Sequence, residues 1–196
     1  EEKNKTLQHA FTEISHQKEV IEEKNKDILD SITYAQRIQS AILPADKSVS
    51  EWLHDGFILF KPRDIVSGDF YWLEQKEENM FFASVDCTGH GVPGAFVSIV
   101  GANGLNRSVN EFGLTKPAEI LDNLTKLVEE TFRRHGTDIK DGMDIALCMY
   151  NRKTSLLQFS GANNPMYLIR KKSSPLLTSN TSSFKPDMET EEIVLY

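Results

Sequence analysis

Residues 67–96 read SGDFYWLEQKEENMFFASVDCTGHGVPGAF. We predict that the rest of the fold is arranged around this stretch. Two apolar, strand-like runs at 70–73 and 80–85 flank the polar QKEEN turn, so we predict a β-hairpin. A glycine-rich turn follows the second run and leads into a helical pattern. Asp69 precedes the first run and Asp86 follows the second, so antiparallel pairing would bring both carboxylates to one end of the sheet.

Two carboxylates at one end of a sheet can form part of a metal site with oxygen ligands. The backbone carbonyl of Cys87 adds another oxygen close to Asp86. The stretch has no His or Cys cluster, so we predict a hard ion, Mg²⁺ or Mn²⁺, rather than Zn²⁺. Bound as a pair, such ions polarise a phosphoryl oxygen and activate water as a nucleophile. The predicted ligands are Asp69, Asp86 and the Cys87 carbonyl.

Two further residues near the turn are candidates with open alternatives. His90 lies between two glycines and is either a surface-loop histidine, or a proton donor or a group that orients a water or phosphate oxygen. Arg63, in the KPRD segment, is either an exposed turn residue or a clamp that holds a phosphate through two parallel hydrogen bonds. The GANNP segment at 161–165 is interpreted as a turn.

The aspartates of the KDGMDIAL segment are less informative than the first pair. Asp144 enters a predicted strand, so it is either structural or turned toward the site. Asp141 is equally ambiguous. We therefore rank both below Asp69 and Asp86 as metal ligands.

Composition indicates a globular protein with an appendage. The 196 residues are 39% hydrophobic and 26% charged, enough for one domain of about 150 residues plus a separate segment. A net charge of −7 without a Lys/Arg block argues against a nucleic-acid surface.

Cys87 and Cys148 are too few and too far apart for a disulfide framework and suit a reducing compartment. We also predict no membrane span and no signal peptide, since no long apolar run is present.

Residues 1–43 predict one long helix that precedes the domain. The segment contains no Gly or Pro, and an apolar residue recurs at every seventh position: Leu7, Ile14, Ile21, Ile28, Ala35 and Ile42. Such a repeat favours a parallel two-stranded coiled coil, so we predict a homodimer through this segment. The alternative is an amphipathic helix that lies on its own domain. We expect the helix to end at Leu43, because the residue before a proline is driven out of the α region.

Residues 44–196 predict an α+β domain with helices packed on a mainly antiparallel sheet. Helices are expected at 93–112, with Pro93 near the first helical position, and at 117–134. Strands are expected, besides the hairpin, at 57–60, 145–150, 156–160, 166–169 and 193–196. Residues 173–183 are expected to form a loop.

Four segments of the chain resemble a known family of enzymes. SGDFYW, VDCTGHGVPGAF, DGMDIAL and SGANNPMYLIR are similar to the catalytic domain of bacterial metal-dependent Ser/Thr protein phosphatases of the stage II sporulation protein E type. The resemblance covers roughly residues 50–170. It implies an αββα sandwich of antiparallel sheets flanked by helices, with a two-metal Mn²⁺ or Mg²⁺ site. Asp69, Asp86 and the Cys87 carbonyl would be ligands of that site.

The resemblance also implies a function and partners. The substrate would be phosphoserine or phosphothreonine on a regulatory protein of the anti-sigma-factor antagonist type. Segment 1–43 resembles the helical linkers that join such phosphatases to upstream sensor modules. We accordingly expect a cytoplasmic protein, or the cytoplasmic part of a membrane-bound sensor.

One departure from the family pattern favours a second hypothesis. Two further acidic ligands are expected late in such domains, one of them in a T-D-G motif, whereas this sequence ends at EEIVLY. In addition, Trp72 stands where relatives carry an acidic residue. We therefore expect a C-terminally incomplete domain in 44–196. The alternatives to an active phosphatase are a weakly active or inactive dimeric signalling module and a sandwich domain without metal.

Overall fold

A computed structural model describes residues 2–44, 56–133, 141–169, 184–186 and 192–195. Three helices and seven strands are assigned within these ranges. The helices are α1 (Glu2–Ser40), α2 (Gly91–Asn110) and α3 (Pro117–Arg133). The strands are β1 (Phe70–Lys76), β2 (Asn79–Cys87), β3 (Met143–Asn151), β4 (Leu156–Ala162), β5 (Met166–Ile169), β6 (Phe184–Pro186) and β7 (Glu192–Leu195).

The strands form two antiparallel sheets. The larger sheet has four strands in the order β1-β2-β3-β4, so each strand pairs with the next one along the chain. The smaller sheet has three strands in the order β5-β7-β6. The predicted α+β class with antiparallel sheets and a long N-terminal helix is therefore confirmed.

One face of the four-stranded sheet carries the hydrophobic core. Alternate residues of β2 turn to this face, because successive side chains of a strand point to opposite sides. Phe81, Val85 and Leu147 are fully or almost fully buried there. Helices α2 and α3 cover the same face through Val97, Ala102, Leu105, Val109, Ile120, Leu124 and Val128. Each fully buried large side chain contributes roughly 1.5–3 kcal/mol, so this layer holds the helices on the sheet.

The long helix α1 ends on the domain. Helical geometry stops at Ser40, three residues before the predicted end, and the chain turns through a bond from the Ile42 amide to the Gln39 carbonyl, 3.0 Å long. Ile42 and Leu43 then pack against the core. The first four residues of the heptad stripe are exposed: Leu7, Ile14, Ile21 and Ile28 keep 55–69% of their surface accessible.

Several predicted element boundaries need correction. Helix α2 begins at Gly91 with His90 as its N-cap, so Pro93 lies at the third helical position and not the first. Proline is tolerated there because the first amides of a helix have no partner within it. The hairpin strands are longer than predicted and meet in a turn at Glu77, whose φ is +54°. The predicted loop at 173–183 lies outside the described residues.

The predicted strand at 57–60 is wrong. This segment runs beside β1 without strand pairing among the described residues, and Phe57 and Leu59 are 86% and 75% exposed. Phe60 contacts the ring of Tyr71 edge to face, with the two centroids 5.6 Å apart. A short apolar run has no period that could distinguish a paired strand from an apolar loop, which explains the error.

Within the described residues, no helix is long and apolar enough to cross a membrane. Both cysteines are free thiols and both are buried.

Candidate metal centre

The predicted carboxylate pair is brought together by the β1–β2 hairpin. In its register Phe70 pairs with Val85, so Asp69 and Asp86 face each other one step beyond that pair. Phe70 and Val85 both point into the core, so the pleat places the two aspartates on the opposite face of the sheet. Both side chains are exposed at the sheet end.

The neighbouring Asp86 carboxylate affects the protonation of Asp69. Partial desolvation raises the pKa of Asp69 above its ordinary value, and a hydrogen bond with Asp86 and repulsion from its charge raise it further. Two anionic groups this close favour a bound cation, because a cation removes the repulsion between them.

Cys87 contributes to the site through its backbone. Its side chain points into the core, where burial and the charges of Asp69 and Asp86 raise the thiol pKa to about 12. The thiol is therefore neutral at physiological pH and is a poor metal ligand. Its carbonyl oxygen is 3.2 Å from the place that a Cβ on Gly68 would occupy, next to Asp69. A backbone oxygen beside two carboxylates fits a hard ion such as Mn²⁺ or Mg²⁺.

Glycines allow the turn after β2 to close on the segment before β1. A Cβ added to Gly68 would lie 2.6 Å from the Gly89 carbonyl oxygen, and one added to Gly94 would lie 2.6 Å from the same atom. Gly89 itself has a φ of +88°, a backbone conformation that residues with a side chain rarely adopt. The backbones of the two segments therefore touch, and this contact holds the Cys87 carbonyl near Asp69.

Replacing Gly68 with alanine is expected to weaken Mn²⁺ binding about tenfold and to destabilise the fold by about 1–3 kcal/mol, since the new methyl group would push away the Gly89 carbonyl. Calorimetric titration with Mn²⁺ and thermal unfolding would measure the two effects. Gly142→Ala is the matched control, because a Cβ at Gly142 would meet no atom within 4 Å. Equal behaviour of the two variants would contradict the close contact.

Asp144 extends the row of carboxylates. It pairs with Asp86 in the β2–β3 register, so Asp69, Asp86 and Asp144 lie side by side across three strands. Asp144 is held by a hydrogen bond from Asn163 Nδ2 to its Oδ1, 2.9 Å long. Among the residues that the structure describes, no three His, Cys, Asp or Glu side chains are grouped closely enough to hold one ion. Asp144 therefore lies next to the pair in the sheet register, with its carboxylate held by Asn163.

The site opens into a cavity on the sheet face away from the helices. The cavity has a volume of about 780 Å³, and Asp69, Asp86, Ser84 and Asn164 contribute polar groups to its lining. The irregular segment 57–61 forms another wall. The carboxylate pair therefore forms part of the wall of this cavity.

His90 and Arg63 do not line this cavity. His90 Nδ1 is 3.0 Å from Asp64 Oδ2, and both side chains are solvent-accessible. Arg63 is exposed in the same irregular segment. Asp64 was not predicted from the sequence, although its position next to Arg63 in the KPRD segment was a signal.

Gln39 connects helix α1 to the site and was also missed. Its side chain is buried, Nε2 donates to the Ser67 carbonyl (2.5 Å) and to Ser98 Oγ (2.9 Å), and Oε1 accepts from the Ser67 amide (3.0 Å). Ser67 lies two residues before Asp69. A glutamine in a polar helix carries no sequence signal for such a contact.

Comparison with known proteins identifies the relatives of this chain. The family model for stage II sporulation protein E matches residues 76–184, more than half of the chain. The solved SiaA-PP2C domain of Pseudomonas aeruginosa is 35% identical with a TM-score of 0.65, and the match covers 73% of this chain. The chain spans 56% of the length of that domain structure. The comparison with curated protein sequences gave no match.

Proposed function

The chain belongs to the stage II sporulation protein E family, and from this premise we propose that it acts as a metal-dependent phosphatase on phosphoserine or phosphothreonine of a partner protein. The observation that carries the proposal is the pairing of Asp69 with Asp86 beside the Cys87 carbonyl. Two carboxylates and a backbone oxygen select a hard divalent ion, and such ions suit phosphoryl chemistry.

Each residue of the site has a role in the proposed hydrolysis. A bound pair of Mn²⁺ or Mg²⁺ ions would neutralise charge on the phosphoryl oxygens and activate the attacking water. Asp69 and Asp86 would hold the ions through their carboxylates, and Cys87 would do so through its carbonyl. His90 donates a proton to the leaving oxygen, and Arg63 binds the phosphate by its guanidinium fork.

The proposal predicts that phosphate release from a phosphoserine protein requires Mn²⁺ or Mg²⁺ and stops when the ion is chelated. Released inorganic phosphate would be measured with Mn²⁺, with Mn²⁺ plus excess EDTA, and after the metal is restored. Recovery of the rate after restoration separates metal dependence from irreversible unfolding. Turnover that persists in EDTA would contradict the proposal.

The substrate and cellular setting belong to the same proposal. The four motifs resemble those of phosphatases that act on anti-sigma-factor antagonists, and we propose a substrate of this kind. A cytoplasmic location and an upstream sensor module that acts through α1 are further parts of the proposal. Incubation with phosphorylated antagonist proteins and with unrelated phosphoproteins would test the substrate class.

Dimerisation through α1 is the regulatory part of the proposal. The stripe at Leu7, Ile14, Ile21 and Ile28 is exposed, whereas the end of the helix is fixed to the domain by Gln39. An exposed apolar stripe with a seven-residue repeat gains stability when it pairs with a second copy. A chain that dimerises but hydrolyses nothing would favour the alternative function, a dimeric signalling module without strong catalysis.

Substituting both Ile21 and Ile28 with lysine is expected to raise the dimer dissociation constant at least about hundredfold, because each buried Ile contributes roughly 1.5–3 kcal/mol and paired lysines repel. Analytical ultracentrifugation of the full chain would measure the change. The double variant Glu23→Gln, Asp30→Asn alters the net charge by the same amount at other helix positions and should remain dimeric. A monomeric wild-type chain at high concentration would contradict the dimer.

A further inference from the structure

A second pair of polar side chains, Asp64 and His90, joins the segment before β1 to the turn after β2. His90 Nδ1 is 3.0 Å from Asp64 Oδ2, across a separation of 26 residues in sequence. We propose that Asp64 is a positioning residue that holds the imidazole of His90 by Nδ1 and so presents Nε2 to the leaving oxygen of the phosphoester. This inference rests on the proposed phosphatase function and adds to it a residue that sets the geometry of proton transfer.

The chemistry of the two groups fixes the direction of the hydrogen bond. A carboxylate can only accept, so the proton on this bond resides on Nδ1. In the neutral imidazole Nε2 is then an acceptor, and in the protonated imidazole Nε2 is a donor. The side chains of His90 and Asp64 are 67% and 41% accessible, so the imidazole can exchange protons with solvent.

The backbone around His90 frees its side chain for this contact. His90 is the N-cap of α2 with φ −131° and ψ 171°, yet its side chain forms no capping hydrogen bond. Gly91 follows with a φ of +62°, and a Cβ there would lie 3.6 Å from Asp64 Oδ2. The turn therefore passes close to the Asp64 carboxylate, and the imidazole meets that carboxylate directly.

Stability alone does not account for the pair. Ion pairs between exposed groups contribute little, typically below about 1 kcal/mol. Asp64 also lies near the N-terminus of α2, where a negative charge gives a small favourable interaction with the helix dipole. The interaction with the helix dipole requires no particular imidazole geometry. A measurement that responds to the orientation of His90 therefore separates this interaction from the positioning role of Asp64.

The proposed step balances as a hydrolysis. The water oxygen forms a bond to phosphorus while the bond from phosphorus to the seryl or threonyl oxygen breaks. The proton on His90 Nε2 passes to that oxygen and gives the free alcohol. The proton lost by water and the proton regained by His90 are exchanged with solvent, and Asp64 keeps its charge and stabilises the protonated imidazole throughout.

Two esters with different leaving groups test the role. With Mn²⁺ present, Asp64→Asn is expected to lower kcat about tenfold on a phosphoserine peptide, whose alkoxide needs a proton. On p-nitrophenyl phosphate, whose leaving group needs none, kcat should stay within about twofold. His90→Gln should show the same selectivity, and the double variant should be no slower than His90→Gln alone. Asp122→Asn, at an exposed position on α3, is the control and should match the wild type on both esters.

Three kinetic outcomes would overturn the proposal. Equal losses on both esters would indicate a general structural effect of Asp64. A changed dependence on Mn²⁺ concentration would make Asp64 a metal-site residue. Additive losses in the double variant would mean that Asp64 and His90 act independently.

A second readout does not depend on turnover and keeps the proposal separate from the phosphatase function. The ¹⁵N shifts of the His90 imidazole report which nitrogen carries the proton, and the His90→Gln spectrum identifies its signals among the five histidines. The wild type should show an enriched Nδ1–H tautomer that Asp64→Asn removes. An unchanged tautomer would overturn the inference, whereas absence of hydrolysis by the wild type with the expected tautomer shift would overturn only the phosphatase proposal.

Discussion

Replacing Asp86 with asparagine is expected to lower Mn²⁺-dependent phosphate release at least about hundredfold. Asparagine keeps the size of the side chain and removes its charge. Changes to groups that merely support a metal ligand already cost about 10–100-fold, and Asp86 is expected to be a ligand itself. Its position opposite both Asp69 and Asp144 in the sheet register makes it the central carboxylate of the row.

The effect of Asp86→Asn on thermal stability, relative to the wild type, should have opposite signs with and without Mn²⁺. At Mn²⁺ concentrations about 100 times the dissociation constant, binding should stabilise the wild type by about 2.7 kcal/mol, or roughly 5–10 °C in Tm. Asp86→Asn should lose most of that gain. Asp122→Asn should keep it, and an equal Mn²⁺ shift in Asp86→Asn would remove Asp86 from the ligand set.

In the absence of metal we expect the opposite order of stability for the wild type and Asp86→Asn. Burial and Asp86 raise the folded-state pKa of Asp69 above its unfolded value, so the wild type loses stability as pH rises through that raised pKa. Asp86→Asn removes the part of this loss that Asp86 causes. At neutral pH the metal-free variant should therefore be at least as stable as the metal-free wild type.

The carboxylate pair could be predicted from the sequence because it depends on local rules. Strand alternation and a tight hairpin determine which residues lie on the same face and at the same end of a sheet. The proximity of Asp69 and Asp86 could therefore be predicted from the position of one turn. The glycines of the following turn likewise indicate where the backbone passes close to another segment. The α+β class and antiparallel sheets follow from the same periodicities.

The contacts of Asp64 and Gln39 could not be predicted in this way. Both join segments far apart in sequence, and both use the irregular stretch before β1, which has no periodicity. The error at 57–60 has the same origin, since an apolar run does not reveal whether a neighbouring strand is present. The position of an irregular segment depends on the packing of the whole domain, which a local pattern does not encode.

Replacing Gln39 with leucine is expected to destabilise the fold by about 2–4 kcal/mol, because the buried amide and carbonyl of Ser67 would both lose their side-chain partner. The corresponding decrease in Tm is roughly 4–16 °C. Ser98 is affected less, since its hydroxyl also donates to the Ala95 carbonyl at 2.8 Å. The effect should therefore be concentrated on the segment that leads to Asp69.

The same substitution should also weaken Mn²⁺ binding about tenfold, because Ser67 is fixed only two residues before Asp69 and preorganised ligands bind more tightly. Circular dichroism melts and Mn²⁺ titrations of the full chain would measure both effects. Gln36→Leu is the matched control, an exposed glutamine one turn earlier on α1. A Gln39→Leu variant that loses stability but binds Mn²⁺ normally would show that the helix end supports the fold without affecting the site. Loss of both would make the end of α1 the element through which a change in that helix reaches the carboxylate pair.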